Sequence, residues 1–282
     1  MSGSVTGQPD NVICGTGIGL RGPHVPGILR EKPAIPWLEA LADNHLAPGG
    51  PARQQLRSVR QHYPLTLHCV GMSIGSTDPL NFEYLHRVRM LMHEVEPVWV
   101  SDHLCWSSVD GEYFHDLLPL PYTEQALRHV EARIQKIQEF LGCAILIENA
   151  SSYFRFTIND YSEPDFLNAL SEQTGCGLLL DLNNVYVACY NSNTCPYTFI
   201  DRLQLDNVEE IHIAGFENRI DYLLDAHNDV VSQPVWDLFE YVMARRADIP
   251  ALFEWDQALP GLDVLLTEAE RADAFRLRYQ SL

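Results

Sequence analysis

Six separate stretches of this chain run through mostly apolar residues and stop on a side chain able to bind a metal ion. They are PLTLH ending at His68, PVWVSDH at His103, CAILIEN at Glu148 and Asn149, GLLLDLNN at Asp181, EEIHI around His212, and IPALFEWD at Glu254 and Asp256. Each run is too short for a typical helix and carries few of the polar breaks of a half-exposed strand, so it reads as a buried parallel strand. Ligand types therefore recur at strand ends. A (β/α) barrel builds its active site there, because its βα loops and the C-termini of its strands share one face.

Two further apolar runs complete the pattern. Strands are expected over 13–20, 36–44, 65–71, 97–103, 143–149, 177–183, 209–215 and 250–256, with helical periodicity between them. PARQQLRSVRQHY places Leu56, Val59 and Arg60 on one side, and FEYLHRVRMLMHEV repeats Leu85, Val88, Met92 and Val95 at steps of three and four. Thr123 and Gly142 are expected to cap one helix, Ser162 and Gly175 the next, and PVWDLFEYVMARR and the terminal LLTEAERADAFRLRYQ supply two more. Eight alternating units predict an α/β fold, a (β/α)8 TIM barrel, as a single domain over 13–282 behind a disordered N-terminal tail over 1–12. The GTGIG at 15–19 lies inside an apolar run and is followed by LRGPHVPG, which does not read as a helix, so it predicts a close-packed first strand instead of a dinucleotide loop. An open doubly wound sheet would gather function at one switch point, whereas here ligand types end almost every strand.

With 282 residues, 46% of them hydrophobic, the chain has material for one large core. Its 38 acidic against 19 basic residues give a net charge of −19, which opposes association with phosphate backbones or anionic membranes. Nucleic acid and membrane are therefore not expected as partners. Seven cysteines, an odd number, form no CxxC pair, and several sit in or beside apolar runs, which fits a reducing compartment. MSGSVTGQPDNV lacks the basic and apolar regions of a signal peptide, so the expected location is cytoplasmic.

A single histidine at the end of a buried strand is more often hydrogen-bonded than metal-bound, but the joint pattern shifts that balance. Several ionisable groups buried on one face cost several kcal/mol each unless they pair or hold cations. Glu148, Asp181 and Glu254 each close a nearly apolar run with no basic partner in the strand, and carboxylates of this kind can bridge two ions. His68, His103 and His212 add nitrogen donors, and the loop DAHND adds Asp225 and His227. So large a mixed set exceeds the needs of one ion and implies two or more. Without a thiolate cluster, it suits iron, manganese or catalytic zinc. Asn149 and Asn184 could coordinate or orient neighbours, whereas Asn183 reads as turn chemistry. Arg21, Asp43 and Asn44 face the same mouth, as substrate contacts, as support for ligands, or as simple caps. ACYNSNTCPY at 188–197 reads as either a flexible lid or an ordinary surface loop, and Tyr153 and Phe154 as packing residues.

Longer blocks carry a resemblance. GIGLR at 17–21, LHCVGMSIGS at 67–76, VSDHLCW at 100–106, LLPLPYT at 117–123, IENASSYFRF at 147–156, GCGLLLDLNNVYV at 175–187, IHIAG at 211–215, LLDAH at 223–227, PVWDLFEY at 234–241 and FEWD at 253–256 resemble, in order, the blocks of the multinuclear iron-dependent oxidases. The best known member of that bacterial family acts in methanobactin biosynthesis. The resemblance implies a TIM-barrel enzyme that holds two or three irons in mixed Fe(II)/Fe(III) states. It also implies use of O2 to modify cysteine residues of a ribosomally made precursor peptide, beside a partner protein that binds the peptide's leader. By motif position it assigns His68, His103, Glu148, Asp181, Asn184, His212, Asp225, His227 and Glu254 to the iron. Glu148, Glu254 and His103 are expected at the reacting centre, with Glu148 or Glu254 bridging two irons, and Arg21, Asp43, Asn44 and Asn149 at the substrate. Phe216 stands where many members carry a second histidine, and Asp43-Asn44 where they carry Glu-Asn.

Two other readings fit the residues alone. One is a divalent-metal hydrolase or sugar isomerase of the xylose isomerase-like kind, indifferent to oxygen. The other is a non-catalytic metal store, which a coordination set at a barrel mouth with room for substrate disfavours.

Overall fold

The computed structural model describes residues 12–280, so all but Val12 of the expected tail over 1–12 lies outside the described residues. In chain order the strands are β1 (Thr16–Leu20), β2 (Leu38–Leu41), β3 (Leu65–His68), β4 (Val100–His103), β5 (Trp106–Val109), β6 (Glu112–Leu118), β7 (Leu146–Glu148), β8 (Gly177–Asp181), β9 (Val208–Ile213), β10 (Glu217–Asn218), β11 (Leu223–Leu224) and β12 (Ala251–Phe253). The helices are α1 (Val25–Glu31), α2 (Gly50–Arg60), α3 (Phe82–Val95), α4 (Glu124–Leu141), α5 (Glu163–Thr174), α6 (Leu182–Asn191), α7 (Pro196–Arg202), α8 (Gln233–Met243) and α9 (Leu262–Gln280).

Eight of the strands, all parallel, close into a barrel in the order β1-β12-β9-β8-β7-β4-β3-β2. They are the eight apolar runs of the sequence, and the fold is the expected (β/α)8 barrel. Closure leaves no strand edge unpaired, which suits strands too apolar to face water. Gly17 is needed where it stands, because a Cβ there would come within 2.6 Å of the Trp37 indole. Trp37 in turn packs with Ile13 and Leu252 as a small separate cluster. The GTGIG run is thus a packed strand.

The helices bury one stripe each, with Leu56, Val59 and Arg60 of α2 and Leu85, Val88 and Val95 of α3 inside. Thr123 accepts from the Ala126 amide to start α4, and Gly142 ends it at φ +81. Ser162 and Gly175 do the same for α5. Among the described residues no helix is long and apolar enough to cross a membrane.

Three local expectations need correction, and two hairpins add to the pattern. The LRGPHVPG segment is helical after all: a 3-10 turn at Gly22–His24 leads into α1, with a proline in the first turn of each. Asp43 and Asn44 lie on the 3-10 turn Ala42–His45, beyond the end of β2. Within residues 188–197, 188–191 end α6, 196–197 begin α7, and only 192–195 form a surface turn between them. Finally, two hairpins, β5–β6 and β10–β11, rise from the loops after β4 and β9, on the face where the ligand-bearing strands end.

Candidate metal centre

Register brings the site together. His103 pairs with Glu148 across β4 and β7, and Asp181 with His212 across β8 and β9, so ligand side chains stand about 4.8 Å apart on neighbouring strand ends. On β3, His68 is oriented by a 2.8 Å contact from Nδ1 to the Ser101 hydroxyl, which turns Nε2 inward. That nitrogen lies 3.3 Å from His103 Nε2, and each of the two is 3.4 Å from Glu148 Oε2. Asp102 Oδ1 accepts from the His103 amide and lies 3.6 Å from its ring Nδ1.

The rest of the ring follows from caps and paired amides. Asp181 caps α6 through Oδ1, which accepts from the Asn184 amide at 2.7 Å and leaves Oδ2 to face the cluster. Asn184 donates to Glu148 Oε1 at 3.2 Å. His212 places Nδ1 3.2 Å from Glu254 Oε2 and Nε2 3.3 Å from both Glu39 and Glu210. His227, in left-handed backbone at φ +44, sets Nε2 2.7 Å from Asp225 Oδ1 and Nδ1 3.3 Å from Glu254 Oε2. A non-glycine residue in that region is strained by about 1–3 kcal/mol, and such strain collects at functional sites.

Every predicted metal residue therefore converges on one volume. The four groups expected to touch substrate do not share one role. Arg21 donates to Glu254 Oε1 and to Asp256 at 2.9 Å each, so it clamps two carboxylates. Asn149 has both amide atoms on the Asp181 backbone, at 2.9 Å each, so it fixes a ligand strand and is not turned to a substrate. Asp43 accepts from the Val70 amide and the Tyr84 hydroxyl, which steadies the loop after His68. Asn44 is exposed.

Sequence reasoning missed several residues. Asn183 is fully buried and donates to Asp225 at 2.8 Å, so it is a support for a ligand and not turn chemistry. Glu39 and Glu210 lie inside the barrel under His212, held by Thr66 and by Trp99 respectively. Glu210 was detectable, since it precedes His212 by two residues and strand side chains alternate faces. Tyr153 and Phe154, expected to pack, are 38% and 51% exposed; the Tyr153 hydroxyl accepts from the Asp225 amide.

Burial is the first influence on the charges here. It drives Glu148 up to about 8, and Glu39 and Asp181 each to about 7, against the opposing pull of nearby imidazoles. It pulls His103 down, but Glu148 and Asp102 outweigh it and raise that imidazole to about 9. Burial and the His103 charge hold His68 well below the ordinary histidine range. A site without cations must therefore hold protons among its carboxylates and imidazoles.

The unpartnered atoms test whether metal fits. Glu148 Oε2, Asp181 Oδ2 and Asn184 Oδ1 are buried without a hydrogen bond, and His227 Nε2 and both nitrogens of His212 meet only the carboxylates described above, without hydrogen-bond geometry. Each such atom costs about 1–3 kcal/mol unless something else satisfies it. Among the described residues, four sets of donor atoms lie mutually within 4.8 Å: His68, His103 and Glu148; Glu148, Asp181 and His212; Glu39, His212 and Glu254; and Asp181, His227 and Glu254. The sets share members, which is how adjacent ions are bridged, and none includes a thiolate. The donor set fits two or more adjacent cations of the kind that take nitrogen and oxygen ligands.

Comparisons with known proteins speak to the family and the fold. A profile described as the RiPP precursor modification enzyme MbnB/TglH/ChrH matches residues 15–276. The chain is 48% identical to a UPF0276 protein of Acaryochloris marina over 268 residues, covering 95% of this chain and 97% of that one. It is 41% identical to a UPF0276 protein of Caulobacter vibrioides, covering 92% and 93%. Among solved structures, endonuclease IV of Thermus thermophilus shares the fold at 15% identity and a TM-score of 0.55, covering 94% and 97%. D-psicose 3-epimerase of Clostridium cellulolyticum does so at 9% identity and a TM-score of 0.59, covering 95% and 98%. At such identities these two structures speak for the fold alone.

Proposed function

The chain belongs to the family of RiPP precursor modification enzymes, those acting on ribosomally made and post-translationally modified peptides, and from that premise we propose that it is a multinuclear iron oxidase. In this reading it uses O2 to modify cysteine residues of a precursor peptide, with a leader-binding partner protein beside it. The observation that carries the proposal is the place of Glu148, whose carboxylate belongs to two of the donor sets at once. One iron would be held by His68, His103 and Glu148, and a second by Glu148, Asp181, His212 and Glu254. The set Asp181, His227 and Glu254, with Asp225 2.7 Å from His227 Nε2, offers a third position. Phe216, in place of a histidine, stacks on Tyr186 with ring centres 5.4 Å apart and gives that position no nitrogen.

Iron bound there supplies redox chemistry with O2 and a positive charge that lowers the pKa of a coordinating thiol. The protein's own residues do the rest. The charged Arg21 holds one oxygen of Glu254 whereas only the neutral Asn184 amide reaches Glu148 Oε1, which favours Glu148 over Glu254 as the shared ligand. Asn184 fixes the Glu148 carboxylate through its side chain and the Asp181 carboxylate through its backbone amide, while Asn149 fixes the Asp181 backbone, so the ligand geometry is set before substrate arrives. Barrel side chains close the site from below, where Glu39 and His212 are about fully buried, which keeps bulk water from that side.

The acidic surface and the engagement of Arg21 by two carboxylates disfavour a nuclease reading of the same metal cluster. The test is metal analysis of protein from iron-supplemented cells, combined with O2 uptake in the presence of a cysteine peptide. Iron above one equivalent per chain and thiol-dependent O2 consumption are expected. Zinc in its place, with turnover indifferent to oxygen, would sink the proposal.

A further inference from the structure

Beside the metal cluster lies a cavity of about 720 Å³, within the range of about 300–1,000 Å³ typical of ligand sites. It lies between the loop that follows Glu148 and the α6–α7 bend that follows Asp181. Phe154, Phe156 and Tyr161 form one wall, Leu120 and Tyr122 a second, and Phe199 with Thr194 a third. We infer that this cavity is a specificity subsite that receives a bulky apolar side chain, aromatic by preference, from the same peptide whose cysteine is presented to the metal cluster.

Three observations carry the inference, which rests on the peptide-oxidase reading. The first is continuity. Tyr153 lines the cavity, while its hydroxyl accepts from the amide of Asp225, a predicted ligand, at 3.1 Å. A peptide crossing the mouth therefore passes from the cluster to the cavity over one side chain. The second is charge. The charged groups of the wall are matched internally, Glu163 by the Tyr122 hydroxyl and the nearby Arg155, and Arg202 by Asp165. What remains for a ligand is chiefly ring faces and short hydroxyl groups, which suit an apolar or aromatic side chain over an ion.

The third is exposure. Phe154 is 51% exposed and Phe156 36%, with centroids 5.7 Å apart at 67°. Large apolar groups left open to water beside a concave site mark a contact surface. The two rings already meet edge to face, and a third ring packed against the pair extends that arrangement and removes both from solvent.

The experiment uses iron-loaded full-length protein under argon, so that binding is measured without turnover. The probes are short synthetic peptides of alanine and serine with a central cysteine and one tryptophan moved through every other position. One tryptophan position should bind roughly tenfold tighter than the rest. Phe154→Ala, which removes a wall, and Thr194→Trp, which fills the space from an exposed position, should each abolish that preference with iron content unchanged. Equal affinity at all positions, no measurable binding, or a preference that survives both variants would overturn the inference. Admitting O2 to the same mixtures separates the two questions, because failure to form product bears on the oxidase reading and leaves the position preference as measured.

Discussion

Glu148 shares its carboxylate between two donor sets, so replacing it should affect more than one ion. Glu148→Gln keeps the volume and the amide contact to Asn184 but removes the charge, and the protein is expected to lose most of its iron and at least about 100-fold in turnover. Glu254 also belongs to two sets, but the Arg21 guanidinium already holds one of its oxygens, so Glu254→Gln should lose less metal; elemental analysis of the two variants side by side checks the order. Ser101→Ala removes the contact that orients His68 and should weaken iron binding by about 10–100-fold, measured by competition with a chelator, without unfolding the barrel. At this scale the sequence displayed the ligands and hid their supports. His68, His103, Glu148, Asp181 and Glu254 stand out because an apolar run stops on them. Glu39 and Glu210 do not, because a charged residue within a strand reads as an exposed break until barrel closure puts it under His212. Asn183 looked like a turn residue because Asn184 and Asp181, beside it, already explained a strand end.

The barrel strands are short, and each element depends on a few exact fits. Gly17→Ala sets a methyl against the Trp37 indole and should destabilise the protein by ~1–3 kcal/mol, read as a lower melting temperature with the iron content of the folded fraction intact. Thr123→Ala removes the cap of α4 and should cost about 1 kcal/mol. All eight strands were legible, because a strand covered on both faces must be apolar nearly throughout. Their ends were not, since the apolar runs continue into loops, and β12 keeps three residues of an expected seven. The helix α6 escaped detection for a physical reason. It begins at Asp181 with no intervening turn, so one side chain ends a strand, caps a helix and offers an oxygen to the cluster.

Across the whole molecule, the buried charges set a pH dependence whose sign depends on metal. In metal-free protein Glu39, Glu148, Asp181 and Glu163 are raised to about 7 or 8 and His103 to about 9, so the folded state holds more protons than the unfolded chain. A surplus of bound protons in the folded state means that stability falls as pH rises, here between about pH 5 and 9. His212 and His227, also raised, act in the same sense, whereas His68 and His45, held low by burial, act in the opposite sense near the ordinary histidine range and are outnumbered. Chelator-treated protein should therefore melt at higher temperature at pH 5.5 than at pH 8.5. Iron displaces those protons, so its affinity and the stability it confers should rise over the same interval; thermal melts with and without iron check both slopes. The net charge of −19 leaves such a site attractive to cations and turns phosphate backbones away. The most direct test of the account is mass spectrometry of a small cysteine-containing peptide encoded beside this gene, coexpressed with the enzyme and its partner. A mass change that requires iron, O2, the peptide cysteine and Glu148 is the predicted result. A peptide left unchanged under those conditions, or changed equally without iron or oxygen, would contradict it.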